Sequence, residues 1–440
     1  MSTLPVGPAQ HMVYLDQARQ PASTAYNIAV CVDLPFALTA DALEPALGRL
    51  VAKYELLRAA FVLRDDAIHQ VIDPAGAVEV ERYDGVDAAQ AEFVRPFALD
   101  RGPLLRAGVV PLGLRSTKLL LDVHHIVADG VSLSPLIADL ARALRGQPLE
   151  PERYPFRTYL EWCEGADYRA RTRRAAAFWE AALTPVPARA HWATDHACPM
   201  SHGANYDLVR FPIDGEEAAR LHDRARATQT SAFTFALTAF ALTQADLTGD
   251  WDAAAAVVTA GRVHPRFLKT FGMFANTLCL RLGLTRAMSV SGALERVREA
   301  TLTALRYQEF PAVDLARLLR LPPAPGGQHP LFECLFAYQN ITYQKQEFFG
   351  RTFRQFFEGK HDVQFDMVVH MFERGTDLDV QWEFTPRRYA RATVGLFADH
   401  FRAVLGALSL SDGDETLDRC LQRRGPGAGP SGARPADFDF

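Results

Sequence analysis

Two periods govern the hydrophobic pattern of this chain, and the switches between them mark its elements. Residues 24–34 (TAYNIAVCVDL) are apolar and rich in β-branched side chains, which predicts a strand. Over 40–54 the positions Leu43, Leu47, Leu50 and Val51 share one face at helical spacing, and Thr39 stands before them as an N-cap. AAFVL (59–63) and AIHQVI (67–72) predict a hairpin around Arg64-Asp65-Asp66. TKLLLDVHH (117–125) predicts a buried strand. Ser134 and Pro135 predict the start of a helix that runs to about Arg145, with Gly146 just past its end.

The second half repeats this mixture. Residues 164–182 are Arg- and Ala-rich and predict a helix that bridges two lobes. The stretch 183–205 has Pro, His and Gly without periodicity and predicts a loop. A helix is expected at 215–227, with Glu216 and Glu217 in its first turn, where the helix dipole favours acids. A nearly all-apolar helix is expected at 231–246 and a strand at 253–258. From Leu421 the composition turns to Gly, Pro and Arg, which cannot bury a core. The expected division is 1–165 for a first lobe, 166–182 for the bridging helix, 183–420 for a second lobe and 421–440 for a disordered tail.

Length supports this division, since 440 residues exceed one ordinary core. Charge narrows the function. A net charge of −5 with no dominant basic stripe gives no sign of nucleic-acid binding. No apolar run reaches the length of a membrane span, and the N-terminus lacks the pattern of a secretory signal. The six cysteines are scattered without a CxxC pair, which fits reduced thiols in a cytoplasmic protein.

The candidate chemistry lies in DVHHIVADG, 122–130. In an extended strand His125 shares a face with Val123 and Leu121, and His124 with Asp122, so the two imidazoles do not converge on one metal. Asp129 and Gly130 lie between a buried strand and a helix. Gly130 lets the backbone approach a ligand, and nearby helix-start N–H groups suit developing negative charge. Asp129 has two readings: a partner of His125, or a buried ion pair with Arg58 or Arg262. His191, Asp195, His196, Cys198 and His202 form a cluster without zinc spacing and are read as loop residues; no metal is expected.

HHIVADG matches the HHxxxDG motif of the condensation domains of nonribosomal peptide synthetases. Six further stretches resemble that family's motifs in order: KYELLRAAF (53–61), YLEWCEG (159–165) with FWE (178–180), TAGR (259–262), FGMFANTLCLRL (271–282), YQEFPAVDL (307–315) and HPLFECLFAYQN (329–340). The resemblance implies an α/β fold of two chloramphenicol-acetyltransferase-like lobes, a V-shaped pseudodimer with a central tunnel. It implies attack of an amine on a carrier-bound acyl thioester, with the phosphopantetheine arms of carrier proteins entering the tunnel and no intrinsic cofactor. It gives His125 as the catalytic histidine, His124 as support, and Gly130 as the backbone contact of the oxyanion. His125 would take a proton or orient the nucleophile. Asn340 is either a substrate contact or a strand-end turn residue.

The departures from the family pattern bear on the acceptor. The opening motif reads GPAQHMVYLDQ, with Gly7 for serine and with His11 and Met12 for arginines. Val131 stands where tryptophan is usual, Tyr54 and Tyr307 where histidine is common, Thr158 for an acid and Gln328 for an arginine. A soluble amine, or an alcohol giving an ester, is therefore an alternative acceptor, and a catalytically silent docking module is a further one. The initiator Met and the tail favour a freestanding monomer of antibiotic-type biosynthesis, with carrier proteins docking in trans. The runs Arg169–Arg174 and Arg387–Arg391 are candidate contacts for acidic carriers or simply solvated helix faces.

Overall fold

The computed structural model describes residues 2–423 except 75, 188, 197–205, 323, 325–328, 340–345, 357–361 and 363–364. Two sheets organise the chain. The first has five strands in the order Arg354–Gln355, Asn27–Leu34, Ser116–His124, Leu105–Gly113 and Val80–Arg82. The second has six, in the order Asn276–Arg281, Ala254–Thr259, Cys334–Gln339, Met367–Arg374, Asp377–Phe384 and Asp207–Ile213.

Each sheet is covered by helices whose apolar faces match it. Ala40–Lys53 and Gly130–Leu144 pack with the first sheet in one core that includes Leu43, Leu47, Leu50, Leu136, Ile137 and Leu140. The helix Ala232–Thr248 is buried on most sides and belongs to the second core with Arg391–Ser409. Burial of these aliphatic and aromatic groups is the main favourable term in each core. Thr39 caps its helix by accepting from the Ala42 N–H at 3.3 Å. The hairpin turns at Asp65 and Asp66, which take left-handed φ of 50° and 59°. The helix Gly215–Ala227 starts on an Asp214 cap, with Glu216 and Glu217 in its first turn.

Four expectations are corrected. The helix after the histidines begins at Gly130, not Ser134, because Asp129 caps it earlier; Pro135 is accommodated inside. The preceding strand ends at His124, so His125 lies in the turn beyond it. The second-lobe range does not stay in its own core: Phe267, Phe271, Met273, Phe274, Phe348 and Phe353 all join the first core. Arg354–Gln355 even pairs antiparallel with Asn27–Leu34, against Cys31 and Val30. Large apolar side chains draw both segments across, and such burial does not follow chain order. Finally, the chain is still ordered past 421, because the helix Leu417–Gln422 buries Cys420 and Leu421 against the second core.

Candidate active site

The pair His124 and His125 is separated by the end of the strand. His124 pairs across to Asn27 and is fully buried. Its Nδ1 accepts from the Ile126 N–H at 3.2 Å, and its Nε2 lies 3.4 Å from Gln17 Oε1. An Nδ1 that accepts leaves the hydrogen on Nε2, facing the Gln17 oxygen. Burial pushes the His124 pKa down to about 3, so the ring is a neutral structural part.

His125 is the partly exposed member of the pair. Its N–H donates to the Tyr26 carbonyl at 2.7 Å, continuing the ladder one residue past the strand. Its Nδ1 lies 3.2 Å from Met273 Sδ. A thioether sulfur has no hydrogen to give, so in the neutral ring Nδ1 carries the proton and Nε2 the lone pair. Burial lowers the His125 pKa, opposed by the Asp129 charge and by the carbonyls of His125 and Ala128. The ring is therefore neutral at pH 7 and able to accept a proton.

Asp129 does not hydrogen-bond His125. It faces Arg262, whose two guanidinium nitrogens donate at 2.6 and 2.9 Å to its two oxygens. Asp129 Oδ1 also accepts from the Ser132 N–H and hydroxyl, both at 2.9 Å, and Oδ2 from the Phe274 N–H at 3.1 Å. Burial pushes the Asp129 pKa up, but Arg262 and Ser132 outweigh it and hold the carboxyl below its ordinary value. The Ser132 hydroxyl also accepts from the Gly272 N–H at 3.0 Å.

Arg262 arrives on the loop 260–275, which leaves the second sheet after Ala254–Thr259 and returns at Asn276. Gly261 opens this loop with φ 64°, and a Cβ there would fall 1.8 Å from the Phe274 carbonyl oxygen. Gly272 lies flat on Phe156, where a Cβ would meet the ring at 2.2 Å. Phe274 lies under the Arg262 guanidinium at 4.4 Å and packs against Tyr159 at 4.6 Å with the two rings tilted by 51°. Tyr159 and Trp162 join it from the helix Phe156–Cys163, so that motif serves as the aromatic bed of the loop.

These contacts bring together His124, His125, Asp129, Gly130 and Arg262. Arg58 is not among them. Of the two candidate partners for Asp129 it is the one that stays away: its guanidinium donates to the Pro74 carbonyl at 3.2 Å and its stem covers Gly76. Asn340 lies outside the described residues, as do Cys198 and His202. The rest of the His-rich loop has structural partners: His191 lies 3.1 Å from Glu333, and Asp195 accepts from Ala390 and Thr393.

A model of the condensation-domain family matches residues 1–419. The chain belongs to the condensation-domain family. A plipastatin synthase of Bacillus subtilis (strain 168) is 29% identical over 412 residues, which are 91% of this chain and 16% of that protein. Tyrocidine synthase 2 of Brevibacillus parabrevis is 28% identical over 93% of this chain and 12% of its own length. The chain thus spans a small fraction of the curated relatives it matches. Among solved structures, the X-domain from teicoplanin biosynthesis superposes with a TM-score of 0.82 at 19% identity, covering 95% of this chain and 97% of that one. The first condensation domain of the calcium-dependent antibiotic synthetase, with a substrate analogue, gives 0.77 at 23% identity over 95% and 98%. The two-lobed acetyltransferase-like α/β fold is therefore the fold of this chain. Among the described residues no helix is long and apolar enough to cross a membrane.

Several working parts of this condensation domain escaped sequence reasoning. Gln10 is fully buried, accepts from the Gly7 N–H at 2.8 Å and donates to the Ile126 carbonyl at 2.9 Å. Gln17 braces His124 and donates to the Ser23 carbonyl at 3.0 Å. The signal was present: Gln10, Val13 and Gln17 occupy one helix face at spacings of three and seven, and that face is buried. Met273 left no such signal, because only the loop fold shows where its sulfur points.

Proposed function

We propose that this domain joins an acyl group, held as a thioester on a carrier protein's phosphopantetheine, to an amine, forming an amide. The observation that carries the reading is the neutral His125 ring beside Met273 Sδ, with Nε2 left as the basic nitrogen. The amine nitrogen attacks the thioester carbonyl and gives a tetrahedral adduct. Nε2 removes the proton from the attacking nitrogen. The C–S bond then breaks, and the proton goes to the departing thiolate of the carrier arm. A positioned base of this kind contributes about 10²–10⁴-fold.

Asp129 acts through structure: with Arg262 it ties the loop 260–275 to the helix start at Gly130, and so fixes Met273 against His125. Gly130 is the backbone contact for the oxyanion, at the head of that helix. No cofactor of the protein's own enters this chemistry. The carrier protein docks on the surface of the domain, and Arg169 and Arg173 of the helix Ala166–Ala182 offer it basic side chains. Arg388 and Arg391 are less suited, since they pair with Asp366 and Asp207.

A silent docking role is the second reading. It is favoured by the likeness, TM-score 0.81 at 20% identity, to an X-domain solved in complex with OxyB. The assembled His125 site argues for catalysis. Mass spectrometry of an acyl-loaded carrier with amine and alcohol acceptors separates the possibilities. Amide product supports the proposal, ester product moves the nucleophile to oxygen, and binding of the carrier without turnover returns the docking role.

A further inference from the structure

The segment 270–274 is the part of the Arg262 loop that brings Met273 to His125, and side chains from the first half of the chain hold it by its backbone. The Gly272 N–H donates to the Ser132 hydroxyl at 3.0 Å and the Phe274 N–H to Asp129 at 3.1 Å, one on each side of Met273. A third acceptor lies one residue earlier: the Phe271 N–H donates to Glu152 Oε1 at 3.1 Å. The Thr270 hydroxyl donates to the Tyr154 carbonyl at 2.7 Å, so residues 152–154 grip two successive loop residues. Asp129 and Ser132 belong to the histidine motif and the helix it starts. Glu152 stands apart from both, in the connection between the helices Gly130–Leu144 and Phe156–Cys163.

A glutamate is a costly way to hold one backbone N–H here. Glu152 is half-buried, and two other carboxylates, Glu55 and Asp139, act on it. The nearby cations are engaged with those two: Lys53 Nζ lies 2.5 Å from Asp139, and Arg157 Nε donates to both Glu55 oxygens at 2.8 and 3.0 Å. The Tyr54 hydroxyl also donates to Asp139, at 2.6 Å, while its ring packs on Phe271 at 4.6 Å. Burial pushes the Glu152 pKa up to about 7; Glu55 and Asp139 add to the rise, and the Phe271 N–H and the Lys53 charge oppose it. A glutamine in this place would accept the same hydrogen bond without a buried charge. What the carboxylate adds is strength, since a hydrogen bond to an ionised acceptor is about twice as strong as one to a neutral group.

We propose that Glu152 is a positioning residue for His125: its ionised carboxylate holds the Phe271 N–H, which fixes the segment 270–274 and so the Met273 sulfur against the imidazole. The inference rests on His125 acting in amide formation as proposed above. Glu152 acts on the ring only through Phe271 and Met273. A loosened segment lets the sulfur leave Nδ1 and the ring turn, so kcat falls while binding of the amine changes little.

The test compares amide formation from an acyl-loaded carrier and one amine in the natural chain, Glu152→Ala, Glu152→Gln, Met273→Leu and the double variant Glu152→Ala/Met273→Leu. At pH 8 Glu152→Ala is expected to lower kcat about 3–10-fold, the range of one modest hydrogen bond, with KM for the amine little changed. Glu152→Gln is expected to recover most of that loss. In the Met273→Leu background Glu152→Ala is expected to cost less than about twofold more, because both substitutions remove the same hold on the ring. The ratio of the natural rate to the Glu152→Gln rate is expected to climb from near one at pH 6 as the pH passes about 7, since only the natural residue gains charge there. Full additivity with Met273→Leu, a ratio constant across pH, or a Glu152→Ala rate equal to the natural one overturns the inference. NMR of the His125 ring nitrogens reads the same hold without turnover: Glu152→Ala is expected to shift them toward a mixture of tautomers, and unchanged signals overturn the inference. No amide from the natural chain sinks the proposed function, and the ring signals then decide this inference by themselves.

Discussion

Met273 Sδ sits 3.2 Å from His125 Nδ1, so a residue from the second half of the chain orients the histidine of the first. Met273 is nearly buried, at 5% exposure, and its loop is anchored one residue further on by the Phe274 N–H to Asp129. Met273→Leu keeps the volume and removes the acceptor. The expected loss in kcat is about 3–10-fold, the range of one modest hydrogen bond. Single-turnover rates check it, and thermal stability should stay close to the natural value.

The imidazole pair should titrate unequally. The His125 pKa is lowered by burial, so its midpoint is expected below the ordinary value of about 6.5. His124, pushed down to about 3, should not titrate within the range of the folded protein. NMR titration of the ring signals, assigned by their loss in His125→Ala and His124→Asn, measures both. The His124 shift also has a stability consequence. Its folded value lies below its unfolded value, so its contribution is complete above about 6.5 and is lost as pH falls toward about 3. Urea midpoints should therefore fall from pH 7 to pH 4, and less steeply in His124→Asn.

Removing one partner of the Asp129–Arg262 pair leaves a buried charge alone. Asp129→Ala or Arg262→Ala is expected to cost about 3–5 kcal/mol. The double variant Asp129→Ala/Arg262→Ala should cost less than the two singles added, because neither charge remains unpaired. Denaturant unfolding of all three variants decides it; strict additivity would deny the pair its structural role.

The loop geometry makes a separate claim about glycine. Gly261→Ala puts a Cβ 1.8 Å from a backbone oxygen at φ 64°, which no rotamer relieves. Activity should fall with little loss in the second core, since Gly261 belongs to the loop and not to that core. Hydrogen exchange should show faster exchange at Ser132 and Phe274, whose N–H groups the Asp129 carboxylate holds.

Much of this was legible in the sequence, and the limits have physical causes. The helix on Leu43, Leu47, Leu50 and Val51 reads from periodicity because one face is buried and the Thr39 cap is local. The start at Gly130 is masked by the competing Ser134-Pro135 signal, although the cap itself is local: Asp129 accepts from the Ser132 N–H three residues on. Among the candidate residues, Arg58 and Arg262 both sit in matching motifs, and sequence could not choose between them. The choice is made by Gly261, which turns the chain so that Arg262 points at Asp129. The transfer of Phe271, Met273, Phe348 and Phe353 into the first core is equally silent, because an apolar residue does not announce which of two cores receives it.

The central claim is that His125 promotes amide formation from a carrier-bound thioester. Its most direct measurement is mass spectrometry of acyl-loaded carrier protein with amine acceptors, comparing the natural chain with His125→Ala. The account predicts an amide product and free carrier thiol from the natural chain, and a rate lower by about 10²–10⁴-fold in the variant. Equal product from both would contradict it.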